Sequence, residues 1–245
     1  MQSNHPTAEI CEIFSSIQGE GLYVGRRQVF VRFAGCNLRC RYCDTARGAP
    51  SGTCSIESAG GSLATRQNPL DAQELSEAVG GLAGSARHHS ISLTGGEPLL
   101  HADFLLRWLP TLKTGLCLHL ETNGTLPDAL EQIVALIDVV AMDIKLPSVT
   151  GEEPQFERHR RFLQTAARRE AFVKVVFGEG TPDSELAEVA AIVGRVDPVI
   201  PVVLQPVAGP DAPSPDRILT AHSFLSRALV NVLVIPQTHR IIGCR

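Results

Sequence analysis

Three of the seven cysteines fall within eight residues, Cys36-Asn-Leu-Arg-Cys40-Arg-Tyr-Cys43, a C-x3-C-x2-C spacing. A compact loop with this spacing can aim three thiolates inward, and thiolates bind zinc and iron–sulfur groups. A four-iron cluster takes four cysteines when fully ligated. Three leave one iron with an open position, and an open position is how a metal site accepts a substrate. Two alternatives stand beside this reading: a zinc site completed by a distant ligand, and buried thiols that bind nothing. The N-terminus, Met1-Gln2-Ser3-Asn4-His5-Pro6, has no basic stretch followed by an apolar one. The cytoplasm is therefore the expected compartment, where clustered cysteines point to ligation before disulfides.

Other polar groups share the placement of the cysteines just past an apolar run. In Thr94-Gly95-Gly96-Glu97-Pro98 the paired glycines let backbone approach a ligand closely, and Glu97 can pair with an ammonium group. The alternative is a tight turn with a solvated Glu. Glu121 and Asn123 carry groups suited to ribose hydroxyls, although Asn123-Gly124 is also a common turn pair. Asp143 and Lys145 end an apolar run, which is costly unless they face a site or reach water. Arg32 alternates with apolar neighbours in Val29-Phe30-Val31-Arg32-Phe33. If that face points inward, Arg32 needs an anion: a ligand carboxylate, which suits the guanidinium fork, or an internal Asp or Glu.

Short apolar or β-branched runs at 28–34, 90–93, 116–121, 138–144, 171–177, 199–204 and 231–235 read as strands. Helical character lies between them. Asp71-Ala-Gln-Glu74 resembles a capping box ahead of Leu75, Val79 and Leu82, while Pro127 and Pro182 sit at helix starts. From the second run onward, starts are 26, 22, 33, 28 and 32 residues apart, the rhythm of βα units with parallel strands. The spacing predicts an α/β fold, a partial (β/α) barrel of mostly parallel strands in a single domain over 1–245. A Rossmann-type open sheet is the alternative, without its dinucleotide version, because no G-x-G-x-x-G follows the first run. Residues 46–70 read as an inserted surface loop and Pro206–Pro215 as another. In either architecture ligands bind beyond the C-terminal ends of the strands, so the polar clusters describe one site on one rim.

The composition is that of an ordinary globular chain, with 245 residues, 44% apolar and 20% charged. A net charge of −4 disfavours a protein that grips nucleic acid directly. No apolar stretch approaches the roughly 20 residues that span a bilayer, so no membrane partner is expected.

C-x3-C-x2-C with an aromatic residue before its last cysteine, followed by Gly95-Gly96-Glu97-Pro98, resembles the radical S-adenosylmethionine (SAM) superfamily. There the open iron is chelated by SAM, and an electron from the cluster cleaves SAM to methionine and a 5′-deoxyadenosyl radical. Phe14-Ser-Ser-Ile-Gln18-Gly-Glu20-Gly21, Arg32, Cys43-Asp44-Thr45 and Pro236-Gln237-Thr238-His239 together resemble the 7-carboxy-7-deazaguanine synthase family, over residues 9–45 and 90–240. The resemblance implies conversion of 6-carboxy-5,6,7,8-tetrahydropterin to 7-carboxy-7-deazaguanine with loss of ammonia, on the route to deazapurines such as queuosine. It implies a [4Fe–4S] cluster on Cys36, Cys40 and Cys43, SAM, and Mg²⁺ at Thr45. It places substrate contacts at Ile17, Gln18, Gly19, Glu20, Arg32 and Thr94. It places SAM contacts at Tyr42, Cys43, Asp44, Gly96, Glu97, Glu121, Asn123, Asp143, Ile144, Lys145 and Gln205. It also implies a homodimer and an electron donor such as a flavodoxin or ferredoxin.

Two departures from the family pattern stand out. The 46–70 segment is longer than short members carry. The chain also continues to Arg245 where some members end and use their terminal carboxylate, so Gln237 or His239 is expected in that place. Cys11, Cys54, Cys117 and Cys244 take no role from the resemblance. Cys117 is expected in the core and Cys244 as an exposed tail thiol. Another radical SAM enzyme, such as a glycyl-radical activase, and a non-enzymatic zinc module remain the rival readings.

Overall fold

The computed structural model describes residues 6–43, 52–58 and 60–244. Among these residues, twelve strands and eight α-helices follow in chain order. The strands are β1 Thr7–Ala8, β2 Ile10–Ile17, β3 Arg27–Phe33, β4 Thr53–Glu57, β5 Leu63–Gln67, β6 Leu70–Asp71, β7 Ser90–Gly95, β8 Cys117–Thr122, β9 Val139–Asp143, β10 Glu170–Phe177, β11 Val202–Pro206 and β12 Val232–Val234. The helices are α1 Ala72–Ala83, α2 Ala102–Trp108, α3 Pro127–Ile133, α4 Pro147–Thr150, α5 Phe156–Ala166, α6 Asp183–Val196, α7 Pro215–Leu225 and α8 Thr238–Ile242.

One ten-stranded sheet runs in the order β12-β11-β10-β9-β8-β7-β3-β2-β4-β5, and β1 pairs with β6 beside it. The seven strands from β12 to β3 are mutually parallel, and they are the seven runs expected from the sequence. β2 is an unforeseen strand, antiparallel to β3. The expected 46–70 loop is corrected. Residues 53–57 and 63–67 form a hairpin, and β4 joins β2 in parallel to extend the sheet by two strands. β2 thereby escapes being a bare edge.

The sheet curls. Thr238 N–H, past β12, donates to Gly19 C=O, past β2, at 2.9 Å, although β11, β10, β9, β8, β7 and β3 lie between those strands. Such a contact needs the partial-barrel curvature that the βα rhythm implies.

Period-2 alternation then separates two environments. On β10, Val173, Val175 and Phe177 enter the core, while Phe172, Lys174 and Val176 line the concave face. On β3 the same division puts Val31 and Phe33 in the core and Phe30 and Arg32 on the concave face. Helices cover the core side, with α1, α2, α3, α5, α6 and α7 packing in series. Asp71 caps α1 as expected: its carboxylate accepts from Gln73 and Glu74 N–H, and Glu74 reaches back to the Asp71 N–H at 3.0 Å. Trp108 is fully buried beneath α1 and donates to Ser76 Oγ at 3.0 Å. Among the described residues no helix is long and apolar enough to cross a membrane.

Candidate active site

The concave face encloses a cavity of about 720 Å³. All six polar clusters that follow the parallel strands reach it: Cys36, Cys40 and Cys43; Thr94 and Gly96; Glu121 and Asn123; Asp143 and Lys145; Gln205; and Gln237 with His239. Ile17, Gln18, Gly19, Glu20, Arg32 and Tyr42 line the same volume. Asp44 and Thr45, the latter expected to contact Mg²⁺, lie outside the described residues.

The glycine-rich turn ties the end of β7 to the start of the cysteine loop. Gly96 N–H donates to Phe33 C=O at 3.0 Å, and Glu97 N–H to Gly35 C=O at 2.8 Å, next to Cys36. Gly95 has φ +122°, and a Cβ on Gly96 would sit 1.8 Å from Gly35 O. The paired glycines thus admit the chain's own backbone. Glu97 is corrected from an open anion to a brace. Its carboxylate is fully buried and off the cavity lining, accepting from Asn123 N–H at 2.7 Å, Thr122 Oγ1 at 2.8 Å and Leu99 N–H at 3.1 Å. Burial pushes its pKa up to about 7 against the pull of those hydrogen bonds. Ile144 is likewise a core residue off the lining, its N–H bound to Lys174 C=O at 2.9 Å.

Asn123 serves the cysteine loop. Its side-chain amide donates to Asn37 Oδ1 at 2.9 Å and to Cys36 Sγ at 3.8 Å, and its backbone carbonyl is held from behind by His159 Nε2 at 3.1 Å. Glu121 turns toward the β2 side, accepting from Gln18 Nε2 and Ser92 Oγ at 2.7 Å and Thr94 Oγ1 at 2.9 Å. Both side chains of this pair are thus engaged by the protein while they line the cavity.

Arg32 lies on the cavity wall, with its guanidinium 5.7 Å from the Phe14 ring centre and its Nε on Glu12 at 2.7 Å. The internal-acid alternative for Arg32 is thus realised, on a strand the sequence reading missed. Glu20 pairs with Lys174, and its other oxygen accepts from Gln237 Nε2 at 2.7 Å. Burial alone would raise the Glu20 pKa, but Lys174 and the hydrogen bond from Gln237 hold it down at about 2. His239 packs on Gly19, where a Cβ would fall 2.1 Å from its Nδ1, so only glycine admits α8 here.

Lys145 donates to Asp143 Oδ2 at 2.8 Å and to the Tyr42 hydroxyl at 3.0 Å. Burial works against its charge, yet Asp143 and Tyr42 hold its pKa well above the ordinary lysine value. Asp143 Oδ1 and Gln205 Oε1 are buried with no protein partner, and both residues line the cavity. Two unmatched buried acceptors call for a ligand that brings donors.

Cys36 and Cys43 are exposed and Cys40 is buried. Among the described residues no trio of His, Cys, Asp or Glu closes on one point as ligands of a single ion do. Cys117 is exposed, not core, and Cys244 is half-buried against the cavity, not an exposed tail thiol.

Residues 30–191 match the radical SAM superfamily. A 7-carboxy-7-deazaguanine synthase of Geobacter sulfurreducens is 44% identical over 97% of this chain and 98% of its own length. This chain belongs to the 7-carboxy-7-deazaguanine synthase family. A second synthase, from Methanothermobacter thermautotrophicus, is 36% identical over 97% of this chain and 98% of its own. The crystal structure of QueE from Escherichia coli shares the fold at a TM-score of 0.63 and 21% identity, covering 98% of this chain and all of that one. Membership of this radical SAM family brings a [4Fe–4S] cluster and SAM. The three lining thiols and the two unmatched acceptors fit that pair: thiolates for iron, and buried oxygens for a donor-rich nucleoside. Lys174, Glu12 and His119 also line the cavity, with Gln28 behind it hydrogen-bonded to Gln18 and His119, and none is singled out by the sequence. Lys174 carried a usable signal as the lone charge inside Ala171-Phe-Val-Lys-Val-Val-Phe177.

Proposed function

We propose that the chain converts 6-carboxy-5,6,7,8-tetrahydropterin to 7-carboxy-7-deazaguanine and ammonia, a redox-neutral ring contraction. The observation that supports it most is one cavity holding both a three-thiol loop and a separate wall with the charge pairs of Arg32 and Glu20 and the hydrogen-bonded Glu121. When bound, the cluster and SAM supply one-electron cleavage of SAM and so the species that abstracts hydrogen from the substrate.

The chain's own residues then divide the work of positioning. Arg32 offers its guanidinium to the substrate carboxylate, in place of or beside Glu12. Gln18 and Glu20 present an amide and a carboxylate to the donor–acceptor edge of the pterin. Gln237, just ahead of α8, braces Glu20. Asp143 and Gln205 accept from SAM, and Lys145 steadies Asp143. Phe14, Phe30 and Phe172 keep the substrate side apolar and exclude water. Mg²⁺, assigned to Thr45 by resemblance, the homodimer and a flavodoxin- or ferredoxin-like donor belong to the same proposal.

The test is anaerobic reconstitution with iron and sulfide, then incubation with the pterin, SAM, Mg²⁺ and a reductant, with products read by mass spectrometry. 7-Carboxy-7-deazaguanine is expected, in lower yield when Mg²⁺ is omitted. SAM cleavage with the pterin untouched would overturn the substrate assignment.

A further inference from the structure

Lys174 stands between two sites that the proposed function treats as separate. It sits mid-strand on β10, in register with Asp143 on β9. Its ammonium pairs with Glu20 on one side and reaches Asp143 Oδ2 at 3.3 Å on the other. Glu20 belongs to the loop after β2 and is bound to Gln237 beside α8. Asp143 is bound to Lys145, and Lys145 to Tyr42, the neighbour of Cys43. A continuous chain of charges therefore crosses the cavity floor, and one side chain bridges its halves. The Lys174 side chain is only 20% exposed, so the two carboxylates that share it are weakly screened.

We infer that Lys174 is a positioning residue that makes SAM binding and pterin binding cooperative. The inference rests on the proposed function, since it takes Glu20 to face the pterin and Asp143 to face SAM. Donors on the pterin edge supply Glu20 with new partners and loosen its hold on Lys174. The ammonium then settles on Asp143 and fixes that carboxylate, whose Oδ1 has no protein partner and is left to accept from SAM. Each ligand thus prepares the site of the other, and linkage makes the effect reciprocal.

The test is a pair of anaerobic binding titrations on cluster-loaded protein without reductant. SAM is titrated with and without saturating 6-carboxypterin, the aromatic analogue that has no hydrogen at C6 to lose. Then 6-carboxypterin is titrated with and without SAM. The native chain should bind each ligand about fivefold or more tightly in the presence of the other. Lys174→Met should still bind SAM alone, with the mutual factor reduced to below about twofold, and Lys174→Arg should restore most of it. Lys174→Gln decides the matter if the Met variant does not fold. Independent binding in the native chain, or cooperativity that persists in Lys174→Met or Lys174→Gln, would overturn the inference while leaving the proposed function standing. Failure of the native chain to bind the pterin at all would overturn both.

Discussion

At the scale of single residues the cavity is a set of matched charges with a few deliberate vacancies in the matching. Arg32 has Glu12, Glu20 has Lys174 and Asp143 has Lys145, while Glu121 and the fully buried Glu97 are held by neutral hydrogen-bond donors. Asp143 Oδ1, Gln205 Oε1 and His119 Nε2 remain unmatched among the described residues, and all three side chains line the cavity. Arg32→Ala should lower pterin turnover by about 100-fold, roughly the 3 kcal/mol that a charge-assisted contact supplies. SAM cleavage without product should persist in that variant. Separate quantitation of deazaguanine and 5′-deoxyadenosine reads the two effects, and undiminished turnover would remove Arg32 from the substrate site. Replacing any one of Cys36, Cys40 or Cys43 by alanine should abolish both the iron–sulfur absorbance after reconstitution and SAM cleavage.

At the scale of elements, the parallel strands were legible because they are covered on both sides of the sheet and read as apolar runs. The polar residues after them were legible as a rim for the same reason, since strand direction fixes which end they occupy. β2 was not: Ile10-Cys-Glu-Ile-Phe-Ser-Ser-Ile17 places Glu12 and Phe14 on the cavity wall, and its mixed pattern obscures the strand period. Nor was the β4–β5 hairpin, because β5 is exposed at all five residues and owes its form to pairing. Glu97 misled because spacing cannot tell a carboxylate aimed at a ligand from one turned back onto Asn123, Thr122 and Leu99. The capping box of α1 was readable because its hydrogen bonds span only three residues. Asp71→Ala should cost about 1 kcal/mol, measured as a shift in the urea midpoint. A loss near zero would mean that β6 and the core hold the helix start without the cap.

At the scale of the whole molecule, the curled sheet brings the two flanks of the chain to one place, and Glu20 joins them through Lys174 and Gln237. That gives the fold an acid-sensitive closure. The Glu20 pKa of about 2 in the folded chain lies below the ordinary 4.5, so the unfolded chain binds the proton first as pH falls. The stability Glu20 contributes is complete above about pH 4.5 and disappears between there and about pH 2. The urea midpoint of the native chain should therefore fall more steeply from pH 5 to pH 3 than that of Glu20→Gln. Parallel curves for the two would show that Glu20 is not held by Lys174 in solution.

On the proposed function, one cavity holds the pterin carbon bearing the carboxylate against the carbon radical made from SAM. The most direct measurement uses substrate deuterated at C6, with the 5′-deoxyadenosine recovered after turnover and weighed by mass spectrometry. Deuterium in the 5′-deoxyadenosine, together with deazaguanine formed, is the predicted result. Product formed with unlabelled 5′-deoxyadenosine would contradict it.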